Sequence, residues 1–123
     1  MTAKAKSGYL AYNPKQGDII KMDFDPTKGH EQQGRRPAVV VNNTTYNNFA
    51  RGVALVCPIT NTDRDVPIQP KLDNRTKTTG VIMTGQVKAL DLTKRNAEFI
   101  EELPYDILEE VCDIVSGFSV LNG

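Results

Sequence analysis

Two adjacent arginines, Arg35 and Arg36, stand directly before Pro37 and the fully apolar run Ala38–Val41, with the chain's single histidine, His30, and with Glu31 and Gln32 just upstream between Gly29 and Gly34. Two further polar groups recur where apolar segments end: Thr60 with Asn61 and Thr62, and Gln86 with Lys88. Polar side chains crowded at the mouth of a buried strand are often held there for use. If the strand ends meet, guanidinium, hydroxyl, carboxylate and imidazole groups share one patch. That set suits phosphoryl transfer, whose transition state gathers negative charge on phosphate oxygens. An arginine fork and a hydroxyl donor aimed in advance stabilise that charge, while Glu31 or His30 is available to move a proton. Each residue also has an ordinary reading. Arg36 could simply pair with a surface carboxylate, and Thr60 could be a plain strand residue.

The elements that would position these groups follow from period and punctuation. Asp18–Asp25 alternates, with Ile20, Met22 and Phe24 opposite Lys21, Asp23 and Asp25, which predicts a half-buried strand ended by Pro26. Pro37–Asn43 reads as a strand covered on both faces, and Asn42–Asn48 as a turn or short helical piece. Val53–Thr60 is a third strand, whose far end Pro58 demotes to an edge or bulge. Val66–Gln69 reads as a short strand, Asn74–Thr79 as a basic connection, and Val81–Leu90 as one strand with a bulge at Gly85. From Pro104 the period becomes helical, with Ile107, Leu108, Val111, Cys112, Val115 and Phe118 on one face and Asp106, Glu109, Glu110 and Asp113 on the other. Short strands closed by one helix predict a mainly β, α+β fold: a small, partly closed barrel with the helix plugging an open side.

At 123 residues the chain is one domain, read as a loose leading segment 1–16 and a folded unit 17–123. Fifteen basic residues balance fifteen acidic ones, which argues against a partner held chiefly by non-specific charge. Aromatic residues are 7% with no tryptophan, so broad base-stacking platforms are not available. Charge is uneven along the chain: Lys71, Arg75, Lys77, Lys88, Lys94 and Arg95 meet only Asp73 and Asp91, and the stretch from Glu98 to Asp113 is wholly acidic. This predicts two faces of opposite sign. Cys57 and Cys112 are far apart and, with one histidine, make no zinc set; both are read as reduced, buried thiols, and no metal is expected. With no signal-like or membrane-length apolar segment, a cytoplasmic location is expected.

The motifs GDII at Gly17–Ile20, DFDPTKGHEQQG at Asp23–Gly34, RPAVV at Arg36–Val40, PIT at Pro58–Thr60, and GV with GQVK within Gly80–Lys88 together resemble the MazF/PemK/Kid toxin family. The resemblance implies an SH3-like barrel, a homodimer, and a toxin of a type II toxin-antitoxin module. It also implies a metal-independent ribonuclease that cuts single-stranded messenger RNA at short motifs, needs no cofactor, and binds an acidic, partly disordered antitoxin segment. The family's arginine before proline and the threonine ending its third strand map to Arg36 and Thr60 as the central catalytic pair. Glu31 matches its signature glutamate and is the candidate general base, with His30 as rival. Gln32, Arg35, Asn43 and Gln86 become RNA contacts. One departure matters: where some members carry an arginine and an aspartate with acid and base roles, this chain has Met83 and Gly85, so the chemistry falls on Arg36, Thr60 and the Gly29–Gly34 loop. A gyrase-poisoning toxin on the same fold is the alternative, but such toxins depend on a tryptophan near the C-terminus, and this chain has none. A barrel that only binds peptide is the other alternative.

Overall fold

Ala38–Val41 occupies the middle of the sheet because both of its faces are covered. The computed structural model describes residues 13–24, 34–43, 52–62 and 68–118. Among these, six strands run in the order β1 (Asp18–Asp23), β2 (Arg35–Val40), β3 (Val53–Thr60), β4 (Val81–Ile82), β5 (Lys88–Asp91) and β6 (Glu98–Glu102), followed by helix α1 (Tyr105–Gly117). The spatial order is β4-β3-β2-β1-β6, all antiparallel, and β5 pairs with the first half of β3 while β4 pairs with its last two residues. The sheet is barrel-like without closing.

Strand alternation divides the core in two. Ile19, Val39, Cys57 and Ile59 face α1, where they meet Leu103, Ile107 and Val111. Ile20, Met22, Ala38, Val40, Ala54 and Val56 face the other way and are capped by Leu92, with Phe24, Leu90 and Ala97 around the edge. β1 is therefore buried on both sides, Ile19 included, rather than half-buried. On the second face the Lys88 ammonium lies 6.0 Å from the centroid of the Phe24 ring, which draws β5 towards the far end of β1.

Several expectations need correction. Val81–Leu90 is not one strand: a 3-10 turn at Thr84–Gln86 splits it into β4 and β5. The cause lies opposite, at Pro58. Its carbonyl accepts from Met83 N–H (2.8 Å), so the edge on which proline lacks a donor faces this break, and β3 stays central rather than becoming an edge there. Ile68 and Gln69 form a turn and bend, with 66–67 of that expected strand outside the described residues, as are 44–48 of the turn expected at 42–48. β6, an edge strand whose side chains are largely exposed, was not foreseen. Phe118, which caps the end of α1, is exposed and Cys112 on α1 is only half-buried, whereas burial pushes the Cys57 thiol up to about 12. The leading segment is already engaged at Gln16, whose amide donates to Val41 O at 2.9 Å. No helix among the described residues is long and apolar enough to cross a membrane.

The two charge blocks do not form separate faces; they join. Arg75 bridges Asp73 (2.7 Å) and Asp106 in the first turn of α1 (2.9 Å). Glu101 of β6 accepts from Lys77 N–H (3.0 Å), Thr78 N–H (2.8 Å) and Thr78 Oγ1 (2.8 Å), pinning the basic connection to the sheet. Burial alone would raise the Glu101 pKa, but these donors outweigh it and hold the carboxyl below its ordinary value. The connection then enters β4 through Gly80, at φ +120°, where an added Cβ would lie 2.3 Å from Thr60 O.

Two outcomes follow from this framework. Glu101→Gln is expected to lose about 1 kcal/mol at pH 7, discounted for partial exposure. Because the folded-state pKa is depressed, the parent's advantage is present above the ordinary glutamate value of 4.5 and lost as pH falls below it. Urea unfolding of both proteins at pH 7 and pH 3 reads the narrowing gap. Gly80→Ala, both clashing and left-handed, is expected to cost about 2 kcal/mol or more, seen as a lowered thermal midpoint.

Candidate active site

The β2–β3 ladder pairs Ala38 with Pro58, Val39 with Cys57 and Val40 with Val56. Continuing that register two residues outward sets Arg36 opposite Thr60. Both then lie on the face of Ala38 and Val40, since alternate residues share a face. Arg36 and Thr60 accordingly line one cleft of about 470 Å³, together with Thr62, Gln69, Met83 and Gln86. No carboxylate contributes to this lining among the described residues.

The two central groups are poised differently from their neighbours. Of the four described arginines, Arg35 pairs with Asp23 and Glu98, Arg75 with Asp73 and Asp106, and Arg95 donates to the carbonyls of Asp23 (3.1 Å) and Phe24 (2.7 Å). Arg36 alone among them is exposed with its guanidinium in no described ion pair or hydrogen bond, so the ordinary reading of a surface salt bridge does not apply. Thr60 Oγ1 accepts from Thr62 N–H at 3.1 Å. A hydroxyl carries one donor and two acceptor sites. Fixed as an acceptor on that side, it keeps its proton for an acceptor in the cleft.

Gln86 reaches the same cleft from the end of the 3-10 turn. Arg35 does not. One residue from Arg36 along a strand, it points to the opposite face, where its guanidinium lies between Asp23 (3.2 Å) and Glu98 (2.6 Å). Asp23 is further held by Asn96 Nδ2 at 2.7 Å. The expected RNA contact is thus a cross-link that stiffens the strand end carrying Arg36. Asn43 also lies elsewhere, lining a separate groove with Gln16, Leu55, Cys112 and Val115. His30, Glu31 and Gln32 fall outside the described residues. The base of their loop is defined, however, since Phe24 N–H donates to Gly34 O at 2.8 Å, two residues from Arg36.

Thr62 enters the cleft with the polar group at the end of β3, as expected, whereas Gln69 and Met83 were not foreseen as cleft residues. Gln69 depends on how the segment before β4 runs back past β3, and Met83 on its N–H bond to Pro58 O just after β4, neither of which a local pattern announces. No group of three or more potential metal-ligating side chains occurs among the described residues.

Known proteins are similar to this chain over most of its length. The endoribonuclease toxin MazF of Escherichia coli K12 is 42% identical over 86 residues, spanning 70% of this chain and 76% of the relative. The endoribonuclease PemK of Escherichia coli is 35% identical over 100 residues, spanning 78% and 74%. Among solved structures, MazF of Deinococcus radiodurans (form I) superposes with a TM-score of 0.75 at 34% identity over 87% of this chain and 96% of that one. A MazE–MazF structure (form II) from the same organism gives 0.75 at 28% identity over 90% and 99%. With residues 15–117 matching the family described as the PemK-like, MazF-like toxin of type II toxin-antitoxin systems, the chain belongs to that family.

Proposed function

We propose that this chain is an endoribonuclease that cuts single-stranded RNA at the Arg36–Thr60 cleft by internal attack of a ribose 2′-hydroxyl. The observation that carries the reading is the placement of an uncommitted guanidinium and an oriented hydroxyl on the walls of one cleft. The nucleophile belongs to the substrate and already sits beside the scissile phosphate, so the reaction asks for little beyond positioning and charge stabilisation. As the 2′-oxygen closes on phosphorus, negative charge accumulates on the non-bridging oxygens. Arg36 stabilises it with paired N–H donors, and Thr60 donates its hydroxyl proton to a phosphate oxygen. The P–O5′ bond breaks and the departing oxygen takes a proton from solvent water, leaving a 2′,3′-cyclic phosphate and a free 5′-hydroxyl. Gln86 contacts the RNA beside this centre.

Deprotonation of the 2′-hydroxyl requires a base that the described lining does not contain. Glu31 or His30 fills that role from the loop whose ends meet at Phe24 and Gly34. Donation to the leaving oxygen by Arg36 is disfavoured because a guanidinium holds its protons at any working pH, so its part is charge stabilisation. In keeping with the family, the reaction proceeds without a metal, in a toxin that inhibits translation as a homodimer. An acidic antitoxin segment would meet in this cleft an arginine opposed by no lining carboxylate, and so compete with RNA for it.

Two outcomes test this reading. With EDTA present, the parent cuts a long single-stranded RNA. Arg36→Ala reduces the rate at least about 10³-fold and Thr60→Val about 10²-fold, both retaining the parent's circular dichroism spectrum; an uncut RNA with the parent at micromolar concentration would sink the proposal. Replacing the single ribose on the 5′ side of a mapped cut with deoxyribose abolishes cleavage there, and mass spectrometry of the unsubstituted products finds cyclic phosphate ends. Linear 3′-hydroxyl ends would point to a water nucleophile instead.

A further inference from the structure

Gln69, Met83 and the buried Thr84 have no part in the chemistry proposed above, yet the structure fixes them with care. Gln69 sits between two anchored carbonyls. Thr84 Oγ1 donates to Ile68 O at 2.5 Å, and Ile82 N–H donates to Pro70 O at 2.9 Å. Thr84 is fully buried. A buried hydroxyl is tolerated when hydrogen-bonded, and a valine would fill the same shape with no polar group to satisfy. What the hydroxyl adds is the path of the chain at Ile68, and hence the place from which Gln69 enters the cleft. The same 3-10 turn ends at Gln86, so Thr84 ties together the two segments that carry the two amides. Met83, held through its N–H on Pro58 O at 2.8 Å, lies on the lining with them.

We propose that Gln69, Met83 and Gln86 form a nucleobase subsite beside the Arg36–Thr60 centre, and that Thr84 positions it. This rests on the reading of the cleft as an RNA site. The Met83 thioether offers a polarisable, apolar contact for an aromatic ring face. Each glutamine amide presents a donor next to an acceptor, the complement of a base edge with the same pair in reverse order. The two-acceptor major-groove edge of guanine calls for a cation, and Arg36, the charged residue of this lining, is occupied by the phosphate. The subsite therefore discriminates among bases at one nucleotide next to the phosphate site, through neutral hydrogen bonds that leave overall affinity to Arg36 and the backbone contacts.

The test separates recognition from cutting. A short randomised 2′-O-methyl RNA pool, which cannot undergo internal attack, is bound by the full-length protein and the retained fraction sequenced. The parent is expected to enrich one base at one position about tenfold or more over the least favoured base. Gln69→Ala flattens that preference, bringing the enrichment of the favoured base to within about twofold of the least favoured one. Thr84→Val weakens the preference and Thr84→Ser restores it, a difference that a purely space-filling role for Thr84 would not produce. A flat profile in the parent, no binding to the pool, or an unchanged profile in Gln69→Ala overturns the subsite. Base-selective binding with no cleavage of the matching unmodified RNA would leave the subsite standing and sink the cleavage reading instead.

Discussion

The β2–β3 register is the constraint on which the site depends. Nothing bonds Arg36 to Thr60; they face one cleft because Ala38, Val39 and Val40 are paired with Pro58, Cys57 and Val56 further in. A slip of one residue would turn every side chain of β2 to the other face. Val39, now against α1, would exchange places with Ala38 and Val40, now against Leu92, and Arg36 would point towards the helix side. Both faces are dry, so the slip would misplace several fully buried side chains, each worth about 1.5–3 kcal/mol when well packed. The geometry of the proposed catalytic pair is thus inherited from hydrophobic packing. It needs no polar contact of its own, and the groups stay available to a substrate.

The distribution of ion pairs has the same logic. The chain is formally neutral, yet its described acids are largely engaged away from the cleft. Asp23 and Glu98 hold Arg35, Asp73 and Asp106 hold Arg75, and Glu101 takes three donors from the Lys77–Thr78 turn. Surface pairs of this kind contribute little stability individually. What they do is keep carboxylates off Arg36. An uncompensated guanidinium on an otherwise neutral lining attracts a phosphate locally, without the broad positive field that would bind any polyanion.

Much of this was legible in the sequence. The run Ala38–Val41 and the segment Val53–Thr60 announce paired strands, and the polar residues at their ends mark where a site would form. Strand period could even have separated Arg36 from Arg35: one shares a face with Ala38 and Val40, the other with Val39, so the two side chains leave the strand on opposite sides. β6 gave no such signal. Phe99 and Ile100 are neighbours, both exposed, and an edge strand bonded to β1 on one side with neither face buried has no alternation to read. The break at Thr84–Gln86 was hidden for a different reason, because its cause, Pro58, lies on another strand. Gln69 and Met83 belong to the cleft only through backbone bonds to distant residues.

The departure at Met83 and Gly85 then decides how the proposed reaction is shared out. Gly85 is exposed, and a Cβ there would meet nothing within 4 Å, so the position has room for a side chain that this chain does not supply. Met83 contributes no proton donor or acceptor to the cleft wall. Neither position therefore offers an acid or a base to that side of the cleft. On the other side, the strand end that carries Arg36 is tied down by its backbone and its ion pairs. The Phe24–Gly34 hydrogen bond closes the loop immediately beyond the Asp23–Arg35 pair, and that pair is locked by Glu98 and Asn96. The base of the proposed reaction, Glu31 or His30, falls between Phe24 and Gly34, which are joined next to the strand pair that fixes Arg36. The segment that follows β4 thus gives the cleft a neutral wall, better suited in the proposed reaction to reading a base than to moving a proton.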